Sequence, residues 1–330
     1  MRFLLFILLI AASSIVFAGM TSGLTVLGAY VLYKLMRFAF ADSDLSTASC
    51  RVRASALRGR VVWVTGASSG IGEGLALELS KHGAMVVVSA RREGDLYRVA
   101  KACGTDAMVV PMDVTSEASR RAAVEAVYAR HKKVDILINN AGISQRALAV
   151  DVEDSVERKL FELNYFGTVA LTKDVVRRMR RESMGHIVVI SSVAGKLSAP
   201  ASASYSATKH AIQGFFNALR IEEAPHNVGV TLICPGPVVS DGVRNALGPD
   251  GKPLGPLGDE NVGKMPTARC AELSVVGISN GLEEIWISQH PILVFCYLAQ
   301  YAPALYAKLA NIFGQKRVRA VQEGKGNINA

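Results

Sequence analysis

Tyr205 and Lys209 stand four residues apart in the run Tyr205-Ser206-Ala207-Thr208-Lys209. On a helix, that spacing projects both side chains from one face, one turn apart. A phenol ordinarily gives up its proton near pH ~10. An ammonium group a few ångströms away favours the phenolate and lowers that value. A tyrosine tuned in this way can hand a proton to a substrate oxygen, or take one back, as a general acid–base. The same spacing also occurs on ordinary helix surfaces, so the chemistry depends on what the rest of the chain brings to the pair.

A second group of residues answers that need. Thr65-Gly66-Ala67-Ser68-Ser69-Gly70-Ile71-Gly72 joins a short apolar run at 61–64 to a helix-spaced stretch at 71–82. Gly66 permits a tight turn, while Gly70 and Gly72 let backbone approach a pyrophosphate at the helix N-terminus, where free N–H groups and the helix dipole favour anions. The spacing is G-x-x-x-G-x-G rather than G-x-G-x-x-G, so the position between strand and helix carries the dinucleotide reading. Gly66, Ser68, Ser69, Gly70, Ile71 and Gly72 are expected to line the cofactor. The next apolar run ends in Ser89-Ala90-Arg91-Arg92, with no carboxylate until Glu93. Selectivity for NAD usually rests on an acidic residue there. An arginine instead suits a 2′-phosphate, so Arg91 points to NADP(H).

These groups must be positioned by a regular frame, and the chain supplies one. Apolar, β-branched runs at 61–64, 85–88, 108–110, 134–138, 186–190, 228–233 and 284–287 alternate with helix-length amphipathic stretches such as 117–131, 156–181 and 204–223. That alternation predicts an α/β fold, a doubly wound Rossmann-type parallel sheet of about seven strands.

Asn139-Asn140-Ala141-Gly142 and Pro235-Gly236-Pro237-Val238, with the glycine turn and Tyr205-x-x-x-Lys209, follow one another in an order and spacing that resembles the short-chain dehydrogenase/reductase family. The resemblance runs from about residue 60 to 287. Ser144-Gln145-Arg146, the stretch 285–288 and the long tail narrow it to a membrane-bound branch. It implies a role for each matching residue. Asp113 and Val114 would touch the adenine, Asn140 would lie beside the cofactor, and the backbone of Val238 would meet the nicotinamide amide. Asn164 would position a water in a proton relay. Ser192 would bind the substrate oxygen, with Ser191 as the fallback. Tyr205 would be the acid–base, and Lys209 would lower its pKa and bind the nicotinamide ribose. Ser240 stands where relatives often place threonine, and it keeps the hydroxyl. A homodimer through 156–181 and 204–223 is also implied, as is a lipophilic substrate of the steroid, retinoid or xenobiotic ketone kind.

The N-terminus predicts a membrane anchor. From Phe3 to Tyr33 no residue is charged, a run of 31. That is about 46 Å of helix against a hydrocarbon core of about 30 Å. A cleaved signal peptide competes, since Val16-Phe17-Ala18 mimics a cleavage site, but apolar sequence continues well past it. The expected division is an anchor over 1–38, a linker over 39–58, a catalytic unit over 59–289 and an apolar helical extension with a basic tail over 290–330. Single-pass residence in the endoplasmic reticulum membrane is expected. Lys34, Arg37 and the arginines of 51–60 favour a cytosolic catalytic unit, yet no glycosylation sequon exists to test the lumenal side.

The remaining composition narrows the partners. The net charge of +9 lies largely in Arg177–Arg181 and the tail, without a nucleic-acid-binding motif, so a solvated face or attraction to anionic lipid is favoured. Five scattered cysteines without C-x-x-C give neither a disulfide framework nor a metal site. The glycines and prolines of 240–267 suggest a mobile lid over the substrate. Two further readings stay open: an NAD-dependent alcohol dehydrogenase of the same family, and a cofactor-binding membrane scaffold without turnover.

Overall fold

The computed structural model describes residues 22–104, 107–240, 245–255 and 263–323. Strands β1 (Val61–Thr65), β2 (Met85–Ser89), β3 (Met108–Val109), β4 (Ile136–Asn139), β5 (Gly185–Ile190), β6 (Val228–Pro235) and β7 (Glu284–Ile287) form one sheet. Every pairing is parallel, in the order β3-β2-β1-β4-β5-β6-β7. Burial on both faces explains the unbroken apolar runs, because all five residues of β1 are buried. Val62 and Val64 face one core with Leu75 and Leu79, while Val61 and Trp63 face the other with Val175 and Phe216.

Helices cover both faces. In chain order they are α1 (Ser22–Ala39), α2 (Leu45–Ala48), α3 (Gly70–Lys81), α4 (Glu93–Cys103), α5 (Glu117–His131), α6 (Asp154–Phe161), α7 (Thr168–Glu182), α8 (Ala203–Glu223), α9 (Thr267–Asn280), α10 (Ile292–Tyr301) and α11 (Pro303–Gln322). The strand order reverses between β1 and β4, which opens a crevice at the carboxyl ends of the strands.

One expected element differs. The single helix predicted over 156–181 is instead α6, a π-helical turn at Glu162–Gly167, and α7. Two contacts account for the widened turn. The Asn164 side chain bonds the backbone of Ile143, and Gly167 lies so close to the Val114 carbonyl that a Cβ would come within 2.7 Å of it. Such turns recur at functional sites.

Residues 38–44 meet the stretch 286–297 beside β7. The Asp44 amide donates to the Trp286 carbonyl at 2.8 Å, and the Asp44 carboxylate accepts from the Trp286 amide. The Phe38 ring stands edge-on to His290 at 4.9 Å and to Tyr297 at 5.2 Å. Helix α11 buries no residue; Pro303 opens it just after α10 ends. Among the described residues no helix is long and apolar enough to cross a membrane. Residues 1–21 of the expected anchor lie outside the described residues, as do 241–244 and 256–262 of the expected lid.

Candidate active site

The glycine turn is built by its neighbours. Gly66 and Gly70 have φ of 63° and 60°, the left-handed region that glycine adopts without strain. At Gly72, a Cβ would collide with the Gly66 carbonyl and the Asn140 amide. Asn140 donates to the carbonyls of Thr65 and Gly66 at 3.0 and 3.1 Å. Thr65 Oγ1 accepts the amides of Asn140 and Ala141. Asn140 therefore ties β4 to the turn, and the N-terminus of α3 opens into the crevice.

Beside the glycine turn, Ser68, Ser69, Arg91, Arg92, Asp113 and Val114, where the resemblance puts the adenosine, line one cleft. Arg92, which sequence reasoning passed over, donates to Ser68 Oγ at 3.1 Å and Ser69 Oγ at 3.2 Å. Its own Nε is held by Asp95. Arg91 is exposed. Burial pushes the Asp113 carboxyl up, but the Thr115 amide and hydroxyl, with the charges of Arg91 and Arg120, outweigh it and hold the group below its ordinary range.

At the other end, β5, the loop after it and α8 converge. Ser192 Oγ accepts from the Ala194 amide at 3.1 Å and approaches the Pro235 carbonyl. Ser191 is 3% exposed and accepts from Gln213 of α8, whereas Ser192 faces the Tyr205 phenol. Lys209 is 6% exposed and donates to the Ile190 carbonyl at 2.9 Å, with Nζ 5.7 Å from the Tyr205 ring centroid. Burial brings its ammonium down to about 8.

The expected lowering of the phenol is not found. Burial pushes the Tyr205 phenol up, offset only partly by the Ser192 hydroxyl and the Arg146 charge. The physical reason is placement: the Lys209 ammonium lies over the ring and bonds a carbonyl on β5. Arg146 was no more than part of a motif in the sequence, yet its charge acts on the phenol.

Asn164, 2% exposed, has its amide engaged at both ends. It accepts from Ile143 N at 2.8 Å and donates to Ile143 O and Thr208 Oγ1. Val238 is buried and lines the same cleft as Asn140, Ala141 and Gly142, in a bridge with Met265. The cleft is about 830 Å³, and its far wall comes from α10 and α11 through Phe295, Tyr306 and Arg317. The apolar run at 291–313 announced a helix pair that could lie on a membrane or cover the substrate mouth, but which of its side chains line the cleft had no signal in spacing or motif.

Known proteins agree with this geometry. Residues 60–248 match the family model described as short chain dehydrogenase. The chain is 44% identical over 307 residues to Dehydrogenase/reductase SDR family member 7 of Homo sapiens, covering 89% of this chain and 90% of that protein. The Mus musculus protein of the same name is 42% identical over 311 residues, with 90% and 91% covered. A short-chain dehydrogenase structure from Streptomyces avermitilis superposes with a TM-score of 0.67 at 27% identity, covering 79% of this chain and 98% of that one. A 3-ketoacyl-(acyl-carrier-protein) reductase from Brucella melitensis, complexed with NADH, gives 0.59 at 29% identity over 67% and 91%. Sheet order, extent of match and identity agree, and the chain belongs to the short-chain dehydrogenase/reductase family of oxidoreductases.

Proposed function

We propose that the protein is a membrane-anchored, NADP(H)-dependent reductase of a lipophilic carbonyl compound, with Tyr205 as its acid. The observation that carries this reading is the convergence of Ser192, Tyr205 and Lys209 at one end of a cleft whose other end is the glycine turn. The turn fits a dinucleotide because its glycines let the backbone fold tightly at the N-terminus of α3, with Gly66 and Gly70 left-handed and Gly72 packed on the Gly66 carbonyl. Bound nicotinamide supplies the hydride.

The chain's own residues do the rest. Ser192 and Tyr205 hold the substrate oxygen, and the Tyr205 hydroxyl gives it a proton. A phenol pushed up by burial keeps that proton at neutral pH, the form from which it can protonate a substrate oxygen. Lys209 holds its position through Ile190 and offers its charge to the ribose side. Asn164 acts as a positioning residue, since its amide is engaged with Ile143 and Thr208 and fixes the loop after β4. Asp113, Val114, Asn140 and Val238 line the cofactor's length. Arg91 and Arg92 stand where a 2′-phosphate would lie, Arg92 already bound to the serines of the turn.

Helix α1, at the end of the proposed anchor, meets α10 through Phe38 and Tyr297, and Phe295 of α10 lines the cleft. Val294, Leu305, Ile312 and Phe313 of α10 and α11 are exposed, and apolar surface of this kind suits a membrane interface. Residence in the endoplasmic reticulum membrane and a homodimer through α7 and α8 complete the reading.

The test is NADPH oxidation by detergent-solubilised protein against a panel of lipophilic ketones and aldehydes. Tyr205→Phe is expected to lose turnover by about 100-fold or more while NADPH still binds. Arg92→Ala is expected to weaken NADPH by about tenfold and leave NADH nearly unchanged. Turnover that survives in Tyr205→Phe would remove the tyrosine from the mechanism. Equal loss of both cofactors in Arg92→Ala would remove the 2′-phosphate assignment.

A further inference from the structure

Two arginines stand in the substrate end of the cleft without a counter-ion. Arg146 follows β4, with its amide fixed to the Leu247 carbonyl at 2.9 Å. Arg317 comes from α11, far away in sequence. Both line the same cleft. Neither guanidinium has an ion pair or a side-chain hydrogen bond among the described residues, and each has its Nε shielded from solvent without a partner. Protein groups of this kind are normally satisfied.

Like charges brought together out of water oppose one another. Burial and the neighbouring Arg146 hold the Arg317 guanidinium down at about 10, and burial alone lowers Arg146. Asp113 is the single carboxylate among the described lining residues; it sits at the adenosine end and accepts from Thr115. The proposed 2′-phosphate site at Arg91 and Arg92 is also at that end, so the cofactor does not account for the second pair. Apolar side chains of Leu197 and Phe295 share the wall with Arg317.

We propose that Arg146 and Arg317 form a receptor for a carboxylate on the substrate, so that the preferred substrate is a lipophilic oxo-acid. Two guanidinium forks match the planar carboxylate, and its charge removes the repulsion between them. The apolar wall takes the hydrocarbon, and the carbonyl reaches Ser192 and Tyr205. This inference rests on the carbonyl-reduction reading above.

The probes are ω-oxoalkanoic acids of six to twelve carbons and their methyl esters. Their affinity is measured by titration calorimetry on NADPH-loaded Tyr205→Phe protein, and their reduction on the unaltered protein. The best acid is expected to bind at least about tenfold tighter than its ester. Arg317→Gln should shrink that acid-to-ester ratio to within about threefold, and Arg317→Lys should keep most of it. Thermal melting separates binding from folding, because removing an unpaired cation should leave the protein no less stable. Equal affinity for acid and ester, or a preference that survives in Arg317→Gln, overturns the receptor. Esters reduced with no preference for acids would sink the receptor and leave the reductase. Acids bound selectively with neither series reduced would do the reverse.

Discussion

Lys209 is the costliest residue of the site. Its ammonium is 6% exposed, bonds one carbonyl and has no carboxylate partner among the described residues. Unfolded it titrates near 10.5, and in the folded protein near about 8. Below both values the side chain is charged in either state, and the folded protein bears the full penalty. Between them the unfolded chain holds a proton that the folded one has released, so stability rises with pH across that window. The gap corresponds to about 3 kcal/mol. Lys209→Met is therefore expected to be more stable at pH 7 by about 2 kcal/mol, once about 1 kcal/mol for the lost hydrogen bond is deducted. Turnover should collapse in the same variant. Urea denaturation of both proteins at pH 7 and pH 10 checks this; the advantage should shrink at the higher pH. A variant no more stable at pH 7 would mean that the ammonium is not desolvated. Tyr205 and Lys209 were legible in the sequence as a pair because their spacing is local to α8, whereas Ser192 came only through the family resemblance. Arg92, Arg146 and Arg317 were not legible, because their partners and neighbours come together only through the fold.

The elements around the crevice are specified by contacts as much as by propensity. Gly72 and Gly94 both sit in helices, yet their surroundings are opposite. A Cβ at Gly72 meets the Gly66 carbonyl and Asn140, whereas nothing lies within 4 Å of one at Gly94. Gly72→Ala is expected to cost about 3 kcal/mol from overpacking and to weaken NADPH binding. Gly94→Ala, in α4, should instead stabilise by about 0.5–1 kcal/mol, through helix propensity and a less disordered unfolded chain. Chemical denaturation and NADPH titration of the pair measure both. Equal effects at the two positions would mean that the turn does not depend on close backbone approach. All seven strands were legible because burial in the sheet selects short unbroken apolar, β-branched runs. The π turn at Glu162–Gly167 was not. Its cause lies in Asn164 reaching Ile143 and Gly167 meeting Val114, and neither contact leaves a periodic trace.

Across the whole molecule, residues 38–47 are fastened to the stretch 286–297 next to the cleft. Asp44 is the fastening. Its carboxylate accepts from the amides of Ser46 and Thr47 at 2.9 Å each and from the amide of Trp286 on β7. From there the path runs through Tyr297, whose hydroxyl accepts from the Leu45 amide at 3.1 Å and whose ring meets Phe38. Tyr297 belongs to α10, and Phe295 on the same helix lines the cleft. The orientation of α1 is thus coupled to the wall of the cleft proposed to take the substrate, while the proposed cofactor end is built from β1, α3 and β2 on the opposite side of the sheet order. Asp44→Ala strands a buried amide on β7 and uncaps α2, at an expected cost of about 2–4 kcal/mol. The coupling predicts more than lost stability. The KM for a lipophilic ketone should rise several-fold as α10 loosens, with the NADPH Kd unchanged. Proteolysis should also reach the arginines at 51 and 53 sooner. A KM that holds steady in a protein measurably destabilised would mean that the N-terminal segment is only a tether, and that α10 keeps the cleft wall in place without it.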